Sequence, residues 1–259
     1  MLNDIQPHIR CCSKEATKYA ILPGDPERVD RVKAFLENSV DIAFNREFKS
    51  CTGFYKGVKV MVISTGIGGA STGIVVEELK NIGVQTLIRI GSCGALQPNI
   101  KLGDLIIANG AVRDDGASKA YVEESYPAVP DTDVLISLIE SAKEVGCNYY
   151  CGKIRSHDSF YTDEEEKIDE YWSKKGILGA DMESAALFVI GGLRNLKTAS
   201  VLNVVVENDG NLDDINSYVN GESVTALGER RGILTVLEAI VKLEKKQNKF
   251  LGGFYHEKK

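Results

Sequence analysis

The sequence predicts one α/β domain in which helices cover both faces of a largely parallel sheet. Short apolar segments alternate along the chain with longer segments of helical periodicity, and this alternation is typical of parallel sheets. No Pro- or Ser-rich linker and no internal repeat divides the 259 residues, which predicts a single domain spanning 1–259. With 43% apolar residues, the chain supplies enough material for a sizeable core.

The predicted elements follow from the length and periodicity of the apolar segments. Strands are expected where short apolar runs are bounded by turn residues, at 19–22, 58–64, 86–90, 105–108, 149–154 and 199–206. Helices are expected where apolar residues recur with a helical period, at 27–36, 72–81, 133–144, 184–193 and 223–245. Open α/β sheets bind ligands at the carboxyl ends of their strands, so functional residues are expected in the turns that follow.

Composition and charge argue against several kinds of partner. The formal net charge of −6 disfavours nucleic acid and anionic membrane surfaces, and no apolar run is long enough to span a bilayer. The N-terminus lacks the hydrophobic stretch of a secretory signal, so the six cysteines are expected to be reduced and the protein cytoplasmic. The histidines are scattered and complete no zinc site.

The first turn of interest joins the first predicted strand to a helix. Asp25 is the predicted N-cap and Pro26 fits the first helical position. Gly24 lets a ligand approach the backbone and Arg28 lies one turn into the helix, a combination that suits an anion. An ordinary strand-to-helix turn with a solvated arginine explains the same residues. This segment alone does not decide between the two.

A second Gly-rich turn follows the next predicted strand, at residues 64–71. Such a turn suits a phosphate or a nucleotide, but it lacks the third glycine of a dinucleotide site and the Lys-Ser/Thr ending of a P-loop. Tight packing of a helix on the sheet explains the glycines equally well.

Arg89 interrupts an apolar strand, and alternation places it in the interior of the sheet. An unpaired buried guanidinium is costly, so Arg89 requires either an anionic ligand or a carboxylate. The candidate carboxylates are Glu47 and Glu183. Ser92 follows at the carboxyl end of the same strand, where it can donate a hydrogen bond to the same ligand.

Acidic residues open the predicted helix at 184–193. Carboxylates at this position are favoured by the helix dipole. The same residues suit sugar binding, with Glu183 accepting hydrogen bonds from vicinal hydroxyls and Met182 packing against the ring. Both interpretations remain open at this point.

Together these segments resemble the nucleoside phosphorylase family that includes the hexameric purine and uridine phosphorylases. The resemblance begins at His8, covers nearly the whole chain and keeps the order and spacing of the motifs, at 23–28, 45–48, 64–71, 89–94, 112–118, 126–129, 159–161 and 181–186. It implies a three-layer αβα sandwich with a central mixed, partly barrel-like sheet. It also implies a homo-oligomer, a hexamer assembled from dimers that share active sites.

The resemblance further implies which residues bind each ligand, with inorganic phosphate as co-substrate and no organic cofactor. Phosphate would be held by Gly24, Arg28, Arg89 and Ser92, and by Arg46 of the neighbouring subunit. Ribose would be held by Met182, Glu183 and, across the dimer, His8. Phe160 would stack on the nucleobase. The uridine branch also binds a monovalent cation such as K⁺ between subunits, and Glu47, Ile67 and Ser71 match that site.

The identity of the base is where the sequence and the resemblance conflict. Most segments favour the uridine branch, which reads uracil with a Gln and an Arg, but Glu164 and Glu166 occupy those positions here. Purine enzymes use an Asp after the strand that follows the helix predicted at 184–193. Counting from Met182 without gaps puts Val206 at the position of that Asp. Glu207 is then either a general acid or a solvated loop carboxylate. A uridine phosphorylase is favoured, with a purine nucleoside phosphorylase as the alternative.

The predicted chemistry is phosphorolysis of a nucleoside to free base and ribose 1-phosphate. Arg89 would position phosphate beneath the anomeric carbon, and Glu183 would fix the ribose by hydrogen bonds that matter most in the transition state. A hydrolytic nucleosidase of the same fold is an alternative, although it needs no arginine clamp for phosphate. A non-enzymatic nucleoside-binding module is another, but it leaves Arg89 without a purpose.

Overall fold

The computed structural model describes residues 4–210 and 223–256, which contain a nine-stranded mixed sheet and helices on both of its faces. The strands are β1 (Tyr19–Pro23), β2 (Glu37–Asn45), β3 (Phe48–Tyr55), β4 (Val58–Ile63), β5 (Thr86–Ala95), β6 (Leu105–Asp114), β7 (Tyr149–His157), β8 (Gly179–Asp181) and β9 (Lys197–Val206). The helices are α1 (Pro26–Lys33), α2 (Gly69–Ile82), α3 (Gly116–Tyr121), α4 (Thr132–Val145), α5 (Glu165–Ser173), α6 (Ser184–Leu193) and α7 (Val224–His256).

The sheet closes partly on itself. Its strand order is β2-β3-β4-β1-β5-β8-β7-β6-β9, and β9 pairs back onto β5. The five strands β5, β8, β7, β6 and β9 therefore form a closed barrel. The other four strands, β1 to β4, extend from β5 as an open sheet. Parallel and antiparallel pairs are mixed, because β2–β3 and β3–β4 are hairpins and β8 runs antiparallel to β5. The expected partly barrel-like mixed sheet is confirmed.

Parallel pairing brings the predicted functional turns to one edge of the sheet. β1 pairs in parallel with both β4 and β5, and β5 pairs in parallel with β9. Leu22 is opposite Arg89, so the turns after β1 and β4 and the end of β5 lie side by side. Asp25 caps α1 by accepting from the Glu27 N–H, with Pro26 in the first turn, as predicted.

The core consists of two apolar layers on opposite faces of the sheet. One layer packs α2 and α6 against the sheet, through residues such as Leu79 and Phe188. The other packs α1, α4 and α7 against the opposite face, through residues such as Val32, Leu138 and Val236. The two layers confirm the αβα sandwich.

All predicted strands and helices are present, the helix at 184–193 with the expected bounds and the others with shifted ends, but β2, β3, α3, α5 and β8 were not predicted. β2 is an edge strand whose residues are all exposed or half-buried, so it carries no apolar run. No residue of α5 is buried, and β8 is three residues long. β5 continues through Ala95 because polar Ser92 still belongs to the barrel ladder. β3 is mostly buried, but Ser50, Thr52 and Gly53 interrupt its apolar residues. Apolar patterns therefore miss elements that are exposed, very short or mixed in composition.

The described part of the chain contains no helix that combines the length and apolar character needed to cross a bilayer. All six cysteines are free thiols. Burial raises the pKa of the Cys51 thiol to about 11, and it also raises the pKa of Cys93. Cys93 beside the candidate site is therefore a neutral buried side chain, not a thiolate.

Candidate active site

Arg89 lies at the centre of a buried cluster of charged side chains at the end of β5. It is 4% exposed. Its Nε donates to Asp181 Oδ2 at 3.1 Å, and its Nη2 donates to Glu183 Oε2. The expected burial of Arg89 is confirmed. Its partner among the two candidate carboxylates is Glu183 and not Glu47.

The remaining nitrogen of this guanidinium, Nη1, is buried and has no hydrogen-bond partner among the described residues. A Cβ placed on Gly24 would lie 3.8 Å from it, so the Gly24 backbone borders this nitrogen. A buried N–H without an acceptor costs about 1–3 kcal/mol. An anion beside Gly24 would remove that cost, which makes this the natural place for phosphate.

Arg28 reaches the same end of β5 from α1. Its Nη2 donates to Ser92 Oγ at 2.9 Å and its Nη1 to the Ile90 carbonyl at 3.1 Å. The side chain is buried, so the alternative of a solvated arginine in an ordinary turn is wrong. The geometry brings Gly24, Arg28, Arg89 and Ser92 together, and they are four of the five predicted phosphate residues.

Glu229 of α7 holds Arg28 from behind, and no local sequence pattern points to it. One carboxylate oxygen accepts from Arg28 Nε at 2.6 Å and the other from Arg31 Nε at 2.5 Å. Arg31 in turn donates to Asp25, the N-cap of α1, at 2.6 Å. The C-terminal helix therefore fixes an arginine at the opposite end of the sequence.

Replacing Glu229 with glutamine is expected to lower the free energy of unfolding by about 3 kcal/mol, because the buried Arg28 loses its counter-charge. It is also expected to raise the KM for phosphate more than the KM for nucleoside. Urea denaturation and initial-rate kinetics measure both effects. Glu238→Gln, the same change in a half-buried pair on α7, is the control. Equal losses in the two variants would contradict a special role for Glu229.

Glu183 joins the Gly-rich turn to the arginine cluster. Its Oε1 accepts from the Gly68 N–H at 2.7 Å and its Oε2 from the Met182 N–H at 3.2 Å. Gly68 has a φ of 94° at the N-cap of α2, a conformation that other residues rarely adopt. Burial raises the pKa of Glu183 above its ordinary value, and Arg89 opposes the rise. The turn thus supplies an N–H donor for a carboxylate.

Asp181 sets the orientation of Arg89. Besides the Arg89 Nε, its oxygens accept from Ser156 Oγ and Ser184 Oγ, both at 2.6 Å. Ser156 itself accepts from the Ala185 N–H at the start of α6. Because these buried contacts satisfy Asp181, the guanidinium has one supported orientation, with Nη1 left for a ligand.

The residues expected from a neighbouring subunit lie away from this cluster within one chain. His8 contacts Glu78 through Nδ1 at 2.6 Å and lines a cavity of about 380 Å³ beside α2. Arg46 is exposed in the β2–β3 turn, where its φ is 56°. Their contributions to ribose and phosphate binding across a dimer stay predictions.

The base-binding candidates lie in the exposed segment that follows β7 and in the first turn of α5. Phe160 is 39% exposed and packs edge-to-face on Tyr161, with ring centroids 5.0 Å apart. Glu164 accepts from Lys167 at 2.6 Å, and Glu166 is exposed. Neither carboxylate lies in a closed pocket within one chain.

Glu207 follows β9 and is bound to residues of the β5–β6 connection. Its carboxylate accepts from Lys101 Nζ at 2.7 Å and from the Leu102 N–H at 3.2 Å. The Lys101 hydrogen bond lowers its pKa, so the group is ionised at neutral pH and cannot donate a proton. This geometry argues against the expected general acid and favours the solvated loop carboxylate.

Two of the three residues matched to a monovalent-cation site are in contact. Ser71 Oγ donates to Glu47 Oε1 at 2.8 Å, and a Cβ on Gly66 would lie 2.6 Å from the Glu47 side chain. Ile67 is 78% exposed on the same turn. Cation binding there stays a prediction.

Comparison with known proteins agrees with this geometry. Residues 18–231 match the model of the phosphorylase superfamily. The chain belongs to the phosphorylase superfamily. Among superfamily relatives, a uridine phosphorylase of Thermococcus kodakarensis is 42% identical over 210 residues, covering 76% of each chain. A guanosine phosphorylase of Halorubrum lacusprofundi is 39% identical over 207 residues, covering 80% of this chain and 84% of that protein.

The fold is shared with solved members of the superfamily. The crystal structure of a uridine phosphorylase from Vibrio fischeri, complexed with 6-hydroxy-1-naphthoic acid, superposes with a TM-score of 0.86. The two chains are 46% identical, and the match covers 92% of this chain and 96% of that one. The residues of the family match, 18–231, include the barrel strands and the ends of β1 and β5, where the charged cluster lies.

Proposed function

We propose that this protein is a nucleoside phosphorylase that favours uridine and releases free base and ribose 1-phosphate. One observation carries the proposal: the Arg89 guanidinium contacts Glu183 on one side and offers Nη1 beside Gly24 on the other. A single buried cation thus stands between a carboxylate suited to ribose hydroxyls and a place suited to phosphate.

The chemistry follows from where charge develops. Cleavage of the glycosidic bond leaves positive charge on the ribose and negative charge on the base. Phosphate held by Arg28 and Arg89 beneath the anomeric carbon stabilises the sugar cation and then captures it. Glu183 holds the ribose by hydrogen bonds that strengthen as the cation forms. No covalent intermediate with the enzyme is required.

Uridine is the proposed substrate, and purine nucleosides are the alternative. Proteins named uridine phosphorylase recur among the relatives, while a guanosine phosphorylase and a purine nucleoside phosphorylase of Plasmodium vivax are nearly as similar. Glu164 and Glu166 stand where the uridine branch has Gln and Arg, which favours an unusual base pocket.

In phosphate buffer, the purified protein is expected to release uracil from uridine faster than hypoxanthine from inosine. The reason for this ranking is that the segments at 113–118, 126–129 and 182–187 resemble those of the uridine branch. Chromatography of products from parallel reactions measures the ranking, with guanosine and adenosine in further reactions. The reverse ranking would make the protein a purine nucleoside phosphorylase. Turnover without phosphate, at an undiminished rate, would instead favour a hydrolytic nucleosidase.

The proposal includes a homo-oligomer of dimers in the cytoplasm, in which His8 and Arg46 complete a neighbouring site. Both side chains lie outside the cluster around Arg89, and a phosphate site made of one chain has only two of the three proposed arginines. The contact between Glu47 and Ser71 supports K⁺ binding between subunits. The free thiols are compatible with a reducing compartment.

A further inference from the structure

Arg155 on β7 is a buried cation that plays no part in the phosphate cluster. Its side chain is 5% exposed, and its Nε donates to Asp114 Oδ2 at 2.8 Å, at the end of β6. On the other side, its Nη1 lies 3.8 Å from Glu165 Oε1 and 3.9 Å from Asp169 Oδ1. Both acidic residues belong to α5, so Arg155 links the barrel to that helix.

α5 depends on such contacts because it has no buried residue. A helix of nine residues is marginal by itself in water. At its C-terminal end, Gln97 Nε2 donates to the carbonyls of Ser173 at 3.0 Å and Ile177 at 2.7 Å. Arg155 is the corresponding contact at the N-terminal half. The two side chains therefore hold opposite ends of the helix.

The contact of Arg155 with α5 is an ion pair without hydrogen bonds. Arg155 Nη1 and Asp169 Oδ1 are both buried and lack a hydrogen-bond partner among the described residues. At 3.9 Å they are too far apart for a hydrogen bond, although opposite charges attract at that distance. A shift of α5 towards β7 by about 1 Å would satisfy both groups.

A short connection joins this helix to the base-binding candidate. Residues 158–164 connect β7 to α5 and carry Phe160. Their first residue, Asp158, is fixed because its carboxylate accepts from the Gly116 N–H at 2.7 Å. The His157 ring also contacts the Ser159 carbonyl, with Nδ1 and the oxygen 2.9 Å apart. From Phe160 onwards the connection is fixed at its far end only as well as α5 is, so the position of Phe160 depends in part on how α5 is held.

We propose that Arg155 is a positioning residue for the nucleobase: it holds α5 against the ends of β6 and β7 and thereby sets the position of Phe160. Nucleoside binding draws α5 onto Arg155 and closes the contact with Asp169. The role of Phe160 rests on the proposed function. The position of α5 does not, so the two can be tested separately.

Steady-state kinetics test the effect on the base. Arg155→Met and Asp169→Asn are each expected to raise the KM for nucleoside about tenfold and to change the KM for phosphate less than about twofold. Asp169→Asn leaves the Arg155–Asp114 pair intact and therefore guards against misfolding. Arg155→Lys should restore part of the loss, because a lysine keeps the charge but cannot contact both sides. Gln97→Ala, which loosens the other end of α5, should leave the nucleoside KM near that of the wild type.

Fluorescence tests the position of α5 directly, because Trp172 is the single tryptophan of the chain and lies in that helix. Uridine or uracil should change its emission in the wild type, phosphate alone should not, and Asp169→Asn should reduce the response. Acrylamide should quench Trp172 more strongly in Arg155→Met and Asp169→Asn than in the wild type without any ligand. Unchanged quenching would overturn the inference whether or not the protein proves to be a phosphorylase. Equal rises in both KM values would also overturn it.

Discussion

Replacing Arg89 with alanine is expected to abolish phosphorolysis, with kcat/KM falling by at least about 10³-fold. The substitution removes the donor beside Gly24 and the partner of Glu183 in one step. It also leaves Asp181 and Glu183 as buried carboxylates without a cation, which should lower the free energy of unfolding by about 3–5 kcal/mol. Activity is followed by product chromatography and stability by urea denaturation.

The two effects of the Arg89 substitution can be separated. Arg89→Ala combined with Asp181→Asn removes one of the unpaired charges and should recover stability without recovering turnover. Arg113 provides the matched control, since it is also a buried arginine but donates to carbonyls of the loop between α3 and α4, including those of Glu123 and Tyr126. Arg113→Met should lower stability and leave the phosphate KM of the folded fraction near the wild-type value. Near-normal phosphorolysis in Arg89→Ala would refute the assignment of Arg89.

Replacing Glu183 with glutamine is expected to reduce kcat/KM about 10²-fold, because charge-assisted hydrogen bonds to ribose hydroxyls become neutral ones. The free energy of unfolding, unlike kcat/KM, should not fall at neutral pH. Burial raises the pKa of Glu183 above its ordinary value of 4.5, so the folded state binds a proton more tightly than the unfolded state. This contribution to stability is present at low pH and is lost as the pH rises through the raised pKa. At pH 7 the variant should be as stable as the wild type or more so, and a shift towards pH 5 should favour the wild type.

Glu207→Gln is the control for this result, since it is the same change on a carboxylate already held as an ion by Lys101. Its kcat/KM should remain close to that of the wild type at all pH values. A larger loss in Glu207→Gln than in Glu183→Gln would restore Glu207 as the general acid and favour a purine substrate.

Sequence alone predicts the inner part of this site well, because burial and turn chemistry are local signals. Alternation places Arg89 inside the sheet, and the Asp25-Pro26 cap marks the turn that holds Arg28. The closed barrel is different: pairing of β9 with β5 depends on long-range register, and it was expected only through a family resemblance. Local patterns indicate which residues require a partner, such as the buried Arg89. They rarely indicate which residue that partner is.

The missed residues share one property, which is that their role depends on a distant segment. Glu229 lies on α7, about 200 positions from Arg28 along the chain, and nothing in its surroundings marks it as buried. Asp181 has the sequence context of an ordinary helix-start carboxylate. α5 has no buried face from which a sequence pattern could predict it, although it directly follows the segment that carries Phe160. Contacts between segments that are distant in the sequence can be identified only from the structure.

Arg89 contacts Glu183 through Nη2 and has Nη1 beside Gly24, and this arrangement has a consequence for ligand affinity. Under the proposed function, the same guanidinium that contacts Glu183 also contacts the anion beside Gly24, so each ligand acts on a charged group that the other one uses. Binding of the two ligands is then linked, and the linkage is reciprocal: bound phosphate increases the affinity for nucleoside by the same factor by which nucleoside increases the affinity for phosphate. A single arginine thereby favours the ternary complex over either binary one.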